Sequence, residues 1–179
     1  ARLYDALPHK PDVILATDMM DLSSFRALTR HTTYDIPIAL YFHENQLTYP
    51  QHQRQGHGWR YGFINYISAM AADVIYFNSD FHKASFFEEL PRMLKHFGDY
   101  NELSSIDTLR EKAHVLPLGL DLRRLDAYKV SGANDVPLIL WNHRWEPDKN
   151  PGLFLKSLTK LADEGHDFEV AIVGENIRK

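Results

Sequence analysis

The chain has 179 residues, of which 44% are hydrophobic and 25% charged, so it is long enough to bury the core of one or two globular domains. Its net charge of −4 at pH 7 gives no general attraction to nucleic acids or anionic membranes, although a local basic patch is still compatible with it. The absence of cysteine excludes disulfides and metal–thiolate sites, and no apolar run reaches the roughly 20 residues of a membrane-spanning helix.

The first two thirds of the chain alternate between apolar runs and helical periodicity, which is typical of a parallel α/β sheet. We expect strands at 13–16, 38–42, 74–77 and 114–118. We expect helices after Asp21, over 59–71 and from Phe81 onward, and a loop at 98–107 followed by a short helix near 108–112. The side chains expected to face inward from the three helices are Leu22, Phe25 and Leu28, then Phe63, Ile64, Ile67 and Met70, then Ala84, Phe87, Leu90, Leu94 and Phe97. Pro91 predicts a kink or a restart in the third helix.

The last third repeats the alternation with a strand at 138–142, a helix at 151–164 and a strand at 168–173. Asn150 and Pro151 read as the N-cap and first residue of that helix, and Gly165 as the residue just after it. The inward-facing side chains expected here are Leu155, Leu158 and Ala162.

The same pattern predicts two domains of unequal completeness. We assign 1–122 to a partial N-terminal Rossmann-like domain, 123–136 to a polar linker and 137–179 to the start of a second Rossmann-like domain. One strand–helix–strand unit is too small to be a stable α/β domain alone. Because both ends also look cut, we expect this chain to be an internal piece of a longer one.

Four consecutive hydrogen-bonding residues follow the second strand: His43, Glu44, Asn45 and Gln46. Ligands of open α/β sheets bind at the carboxyl ends of strands, and sugars need dense donors and acceptors beside an aromatic surface, here Phe42 and Tyr49. A sugar or acceptor site is therefore one interpretation, and a polar loop bonded to its own backbone is the other.

A metal site is a weaker interpretation of this segment. His43, His52 and His57 together with Glu44 do not have the spacing of a helical H-E-x-x-H site, so we expect solvated histidines and no metal.

Asn78 and Ser79 end the third strand and should lie at the same edge of the sheet. Capping of the next helix by Ser79 or Asp80 is the favoured interpretation, and it is compatible with an additional ligand contact.

Arg144 and Lys149 lie in the turn between the strand at 138–142 and the capped helix that begins at Pro151. Two permanent cations and a helix N-terminus suit a diphosphate, which needs both charge neutralisation and N–H donors. Glu146 can pair with either cation and hold it in position. Gly174 and Glu175 follow the last strand, and this glycine would let a nucleotide approach closely. The alternative for both cations is a solvated loop.

These residues together resemble the family 4 type of GT-B glycosyltransferase, and more narrowly the tRNA-queuosine mannosyltransferases of the glycosyltransferase-like domain-containing family. The resemblance covers nearly the whole chain, and its most specific block is YFHENQLTYP at 41–50. The further matching positions are Tyr61, Gly62, Asn65, Ser68, the segments 72–74 and 77–79, and HRWEPDK at 143–149 with Pro151.

The resemblance implies two Rossmann-like domains facing each other across a cleft, with the acceptor on the N-terminal domain and the sugar nucleotide on the C-terminal one. Arg144 and Lys149 match the cations that stabilise the departing nucleoside diphosphate in place of a divalent metal, and His43 matches an acceptor-side histidine near the transferred sugar. The implied donor is GDP-mannose, with no further cofactor. The implied acceptor is queuosine in a tRNA anticodon, the setting cytoplasmic, and the anomeric configuration retained.

Two family segments fall outside the chain, namely the Gly-rich turn after the first strand and the E-x₇-E segment that holds ribose and sugar hydroxyls. We therefore expect this piece alone to bind donor weakly and turn over poorly. Nothing before Lys179 settles the nucleotide or the oligomeric state. The alternatives are another sugar nucleotide with a lipid or glycan acceptor, a non-catalytic relative, and, least favoured by the net charge, a nucleic-acid-binding module.

Overall fold

The computed structural model describes residues 1–48, 58–129, 132 and 135–174, and the chain divides into two compact units, Ala1–Gly119 and Leu120–Lys179. A four-stranded parallel sheet forms the centre of the first unit, and a two-stranded parallel sheet forms the second. This confirms the α/β class with parallel sheets. Of the helices in the described ranges, none combines the length and apolarity needed to cross a membrane.

The first unit places its strands in chain order across the sheet, β1–β2–β3–β4. Its elements are α1 (Arg2–Asp5), β1 (Ile14–Thr17), α2 (Leu22–Thr33), β2 (Ile38–Phe42), α3 (Gly58–Ala71), β3 (Val74–Phe77), α4 (Asp80–Lys95), α5 (Ser105–Glu111) and β4 (Ala113–Val115). The register sets Ile14 beside Ile38 and Ile75 beside Ala113, so the strands' carboxyl ends fall at one edge.

The core of the first unit is built from the apolar runs of the strands and from one face of α4. Phe42 and Phe77, on neighbouring strands, stack with ring centroids 5.0 Å apart, and Phe86 packs within 5.3 Å of both rings. All three side chains are fully buried. Central strands buried on both faces explain why the sequence showed continuous apolar runs rather than alternation.

The buried face of α3 coincides only in part with the predicted one. Ile67 packs against the core as predicted, whereas Phe63 and Met70 are 38% and 41% exposed. The fully buried positions are Asn65, Ser68 and Ala69. Two of these side chains are polar and bond to backbone groups of neighbouring loops, so counting apolar positions along the helix could not identify this face.

Helix α4 continues through Pro91 to Lys95, so the predicted restart there is wrong. A proline removes the N–H that would bond to the carbonyl four residues earlier, which here belongs to Phe87. The Arg110 guanidinium supplies a replacement donor, with Nη2 3.5 Å from the Phe87 carbonyl oxygen and the guanidinium carbon 4.4 Å from the Phe87 ring.

Five smaller predictions also need correction. Leu28 of α2 is exposed, because Thr29 and Thr33 occupy the inward positions and bond within the helix. Ala84 and Phe97 are likewise exposed, the latter beyond the end of α4. The fourth strand ends at Val115 rather than at Leu118, and α5 begins at Ser105, inside the predicted loop.

The second unit contains a 3₁₀ helix (Leu122–Tyr128), β5 (Leu138–Asn142), a 3₁₀ turn (Pro147–Lys149), α6 (Pro151–Asp163) and β6 (Glu169–Val173). Asn150 caps α6 by accepting the Leu153 N–H at 3.3 Å, as predicted. Gly165 follows the helix with φ +82°, and His166 N–H bonds back to the Leu161 carbonyl, which completes a Schellman motif. The predicted inward positions Leu155 and Ala162 are exposed, because two strands and one helix have little surface against which to bury them.

Candidate functional site

Three polar residues come directly after β1, β2 and β3 and meet at the carboxyl edge of the first sheet: Asp18, His43 and Asn78. Asp18 Oδ1 accepts the backbone N–H of His43 at 3.0 Å and lies 3.3 Å from His43 Nδ1. Asn78 Nδ2 donates to the His43 carbonyl at 3.0 Å. His43 is therefore held from two neighbouring loops, and its ring also packs edge-on to Tyr41 at 4.9 Å.

The hydrogen-bond network extends from Asn78 into α4. Asn78 Oδ1 accepts from Ser79 Oγ at 3.1 Å and lies 3.0 Å from His82 Nδ1, so the neutral His82 carries its proton on Nδ1. Ser79 Oγ in turn accepts the His82 N–H, which confirms the predicted capping role of Ser79. Asp18, His43, Asn78 and His82 thus form one continuous polar chain across three loops.

His82 is buried, and its ring packs edge-on against the stacked rings of Phe42 and Phe77. Burial lowers the pKa of His82 below its usual value of 6.5, and the Asp18 carboxylate and the Glu44 backbone oppose this shift only in part. His82 is consequently neutral near pH 7. Within the described ranges, its Nε2 has no hydrogen-bond partner, and the same holds for Asp18 Oδ2.

The four predicted acceptor-side residues after β2 separate into two pairs. His43 and Glu44 are exposed, whereas Asn45 and Gln46 are buried. Asn45 Nδ2 donates to Ser85 Oγ at 3.1 Å and its Oδ1 accepts the Leu47 N–H at 3.0 Å, while Gln46 Nε2 lies 3.4 Å from Glu44 Oε2. Asn45 and Gln46 have a visible role in shaping the loop, and their contact with an acceptor stays a prediction.

Helix α3 anchors the loops of this edge with two buried polar side chains. Asn65 accepts the Gln46 N–H at 3.2 Å and donates to the Asp18 carbonyl at 3.0 Å. Ser68 accepts the Leu22 N–H at 3.1 Å and donates to the Met20 carbonyl at 3.2 Å. Asn65 and Ser68 therefore fix the positions of the loop after β1 and the loop after β2 relative to each other.

Sequence patterns pointed to His43, Asn78 and Ser79 but missed Asp18 and His82. Asp18 was detectable, because it follows β1 directly and the same strand-end rule had found the other two. The sequence indicates His82 only weakly. It lies four positions after Asn78, a spacing that brings two side chains together on a helix, and it belongs to the first turn of α4.

Across the described ranges, no three His, Asp or Glu side chains converge as potential metal ligands. Tyr49, His52 and His57 lie outside the described residues, so the expectation of no metal at that segment stays a prediction.

The second unit carries the other predicted site in the turn between β5 and α6. Arg144 Nη1 lies 3.3 Å from Glu146 Oε1, as the sequence suggested, and Lys149 Nζ lies 2.9 Å from Asp148 Oδ2. Trp141, buried at the end of β5, donates from Nε1 to the His143 carbonyl at 3.0 Å and packs on Phe154 of α6 with centroids 4.5 Å apart. This aromatic contact positions the end of β5 against α6, and the turn starts from there.

The charges of this turn balance each other. A hydrogen bond from Lys149 lowers the pKa of Asp148, with smaller contributions from the positive charges of Lys149 and Arg144. Asp148 is therefore ionised at neutral pH, and the turn holds two cations beside two carboxylates. An incoming anion would have to replace one carboxylate at each cation.

Gly174 has φ +125°, and a Cβ at this position would overlap the His143 carbonyl oxygen. Glycine is thus required where the chain leaves β6 beside the turn that carries Arg144. A nucleotide contact at Gly174 stays a prediction, and Glu175 lies outside the described residues.

Comparison with known proteins shows a family and a relative that the chain resembles. Residues 2–120 match the family described as tRNA-queuosine alpha-mannosyltransferase N-terminal. Over 148 residues the chain is 34% identical to a tRNA-queuosine alpha-mannosyltransferase of Drosophila melanogaster, an alignment that covers 78% of this chain and 39% of that relative. The chain therefore spans about two fifths of the length of the relative it matches.

Proposed function

The chain belongs, through residues 2–120, to the tRNA-queuosine alpha-mannosyltransferase N-terminal family, and on that premise we propose that it is part of a glycosyltransferase that moves mannose to queuosine in a tRNA anticodon. The observation that carries this proposal is the family match over the residues that build the first sheet and its polar edge. We propose GDP-mannose as the donor, a GT-B arrangement of the complete enzyme and a cytoplasmic setting for a tRNA acceptor.

The polar edge of the first unit is chemically suited to the acceptor role. Queuosine offers hydroxyl groups to the transfer reaction, and a hydroxyl needs a hydrogen-bond acceptor beside it as it becomes a nucleophile. His43 is exposed; Asp18 and Asn78 bond to its backbone, and its ring Nδ1 faces Asp18 Oδ1 at 3.3 Å. In the proposal, His43 contacts the reacting partners and Asn78 supports it.

The turn of the second unit is suited to the leaving diphosphate. Breaking a sugar–phosphate bond develops negative charge on the diphosphate, and cations already in place lower the barrier without reorganisation. Arg144 and Lys149 pair with Glu146 and Asp148; the two cations are 58% and 36% exposed, and the two carboxylates are 27% and 13% exposed. Because both cations reach solvent, a diphosphate with more negative charge can compete with the carboxylates for them. With cations in this role we propose a metal-independent reaction, and we propose that it retains the anomeric configuration.

The direct experiment incubates the full-length protein with GDP-mannose and a queuosine-containing tRNA, followed by mass analysis of the released nucleosides. The expected result is a gain of one hexose on queuosine. The same tRNA with unmodified guanine at that position is the acceptor control, and UDP- and ADP-sugars are the donor controls. Transfer to a lipid or glycan but not to the tRNA would reject the acceptor, and no product with any sugar nucleotide would reject the reaction.

Paired variants test the leaving-group role. Arg144→Ala and Lys149→Ala are each expected to reduce kcat by about 10² or more, the range found when one preorganised donor is removed. Arg92→Ala and Lys160→Ala are matched controls, because each removes a cation of the same type from an exposed ion pair, with Glu89 and with Glu164. Equal activity of all four variants would contradict the role assigned to the turn.

A further inference from the structure

One side-chain oxygen of Asp18 interacts with His43 in two ways. Its Oδ1 accepts the backbone N–H of His43 at 3.0 Å and faces His43 Nδ1 at 3.3 Å. An ionised carboxylate oxygen can only accept hydrogen bonds, so Nδ1 must carry the ring proton to face it favourably. In neutral His43, Nε2 is then without a proton and presents a lone pair.

The exposure of the two side chains shows which part of the ring is available. The Asp18 side chain is 2% exposed, whereas the His43 side chain is 51% exposed. Because Nδ1 faces the buried carboxylate, the exposed half of the imidazole is the half that carries Nε2.

The surrounding hydrogen bonds make this orientation hard to change. Asn65 holds the Asp18 carbonyl from α3, and Asn78 holds the His43 carbonyl from the loop after β3. A rotation of the His43 ring would separate Nδ1 from Asp18 Oδ1 and leave a buried carboxylate with one donor fewer, which costs free energy.

We propose that Asp18 is a positioning residue that holds His43 in the Nδ1–H tautomer, so that Nε2 accepts a hydrogen bond from a substrate hydroxyl group. This inference rests on the proposed function, because a hydroxyl acceptor or a sugar must approach His43. Asp18 itself touches no reacting atom. Asp18 affects the reaction indirectly, because it determines the orientation of the His43 ring and which ring nitrogen carries the proton.

Two substitutions at Asp18 separate positioning from mere packing. Asp18→Ala removes the acceptor, and the ring is then free to take the other tautomer. Asp18→Asn keeps an acceptor oxygen, because the fixed His43 backbone N–H favours the amide oxygen over the amide nitrogen at the Oδ1 position. The amide should therefore preserve the Nδ1–H tautomer.

The experiment uses the full-length protein labelled with ¹⁵N-histidine, with His43→Gln to assign the signals among the ten histidines of this chain. Nitrogen chemical shifts should show His43 protonated on Nδ1 in the wild type and in Asp18→Asn, and shifted toward the Nε2–H form in Asp18→Ala. With mannosyl transfer as the second readout, kcat should fall about 10²-fold in Asp18→Ala, the scale of lost hydrogen-bond catalysis by a histidine in the wrong form. Asp18→Asn should recover most of this loss, and KM for the donor should change less than about twofold in both variants.

Asp21→Ala is the matched control, since Asp21 is a carboxylate of the same loop that caps α2 through Ser24 and does not bond to His43. It should leave the His43 spectrum and kcat unchanged. An Nδ1–H signal that persists in Asp18→Ala, or equal kcat losses in the alanine and asparagine variants, would overturn the proposal. If the wild type transfers no sugar, the proposed function fails, while the nitrogen spectra still decide the tautomer.

Discussion

Replacing Asn65 with leucine removes a side chain that connects two loops of the candidate site while keeping the number and branching of its heavy atoms. Asn65 is 1% exposed, and it satisfies the Gln46 N–H and the Asp18 carbonyl. Each backbone group left buried without a partner costs about 1–3 kcal/mol. With the loops in their present positions, where no water reaches these two groups, the expected loss in the free energy of unfolding is therefore about 2–6 kcal/mol.

The assay is urea unfolding followed by far-UV circular dichroism, with the free energy taken from the midpoint and the m-value. Hydrogen exchange gives the local readout: the Gln46 amide should exchange much faster in Asn65→Leu, because its only described acceptor is gone. Asn101→Leu is the matched control, an asparagine in the loop between α4 and α5, and should change stability by less than about 0.5 kcal/mol.

A loss smaller than about 1 kcal/mol in Asn65→Leu, below the cost of even one unsatisfied group, would refute this reasoning. Asn65→Asp separates the two bonds, because a carboxylate still accepts the Gln46 N–H but cannot donate to the Asp18 carbonyl. Compared with the wild type at the same pH, this variant should lose more stability at neutral pH than in mild acid, where a protonated carboxyl regains the donor.

Two further predictions concern the same unit. In Gly62→Ala, the new Cβ would lie 2.5 Å from Leu47 Cδ2 and 3.3 Å from Met93 Sδ, and both neighbours are buried. Overpacking should therefore cost about 1–3 kcal/mol, more than the helix-propensity gain of about 1 kcal/mol, and thermal melting should show a lower melting temperature. The control is Gly152→Ala in α6, whose Cβ meets nothing within 4 Å and which should be neutral or stabilising; melting-temperature shifts of equal sign in the two variants would contradict the packing explanation. The pKa of His82 is lowered in the folded state, so below pH 6.5 the unfolded chain binds more protons than the folded one. The free energy of unfolding should therefore fall as the pH drops from about 6.5, and it should level off below the folded-state pKa. Urea titrations from pH 7.5 to 5 should show a shallower decline in His82→Gln, and identical pH dependence in both proteins would exclude His82 as the cause.

Strand positions followed closely from the sequence because the strands of a parallel sheet are short uninterrupted apolar runs. The strands β2 and β5 coincide with their predicted ranges, and β3 does as well. Strand ends then located His43 and Asn78, since the carboxyl edge of a parallel sheet is where loops with ligand contacts begin. Asp18 obeys the same rule, but the predicted first strand ends at Ala16, one residue before the observed end at Thr17, so Asp18 did not fall directly after it.

Helix faces and side-chain partners did not follow from the sequence, for a physical reason. The inward face of α3 is decided by Asn65 and Ser68, whose partners are backbone groups of loops distant in the sequence. Periodicity counts apolar residues and cannot see a buried polar side chain that is satisfied by another loop. The same holds for Pro91, where a distant guanidinium compensates for the missing N–H.

The two candidate sites share a way of holding a charged or titratable group in place. In the first unit, one buried carboxylate and one amide fix His43 from neighbouring loops. In the second, Glu146 and Asp148 fix the heads of Arg144 and Lys149 from within the same turn. The first arrangement is hard to break because its carboxylate is 2% exposed, and the second is more accessible because the side chains of Arg144 and Lys149 are 58% and 36% exposed. That difference matches the two proposed tasks: a ring whose orientation must persist through the reaction, and cations that must release one anion to take another.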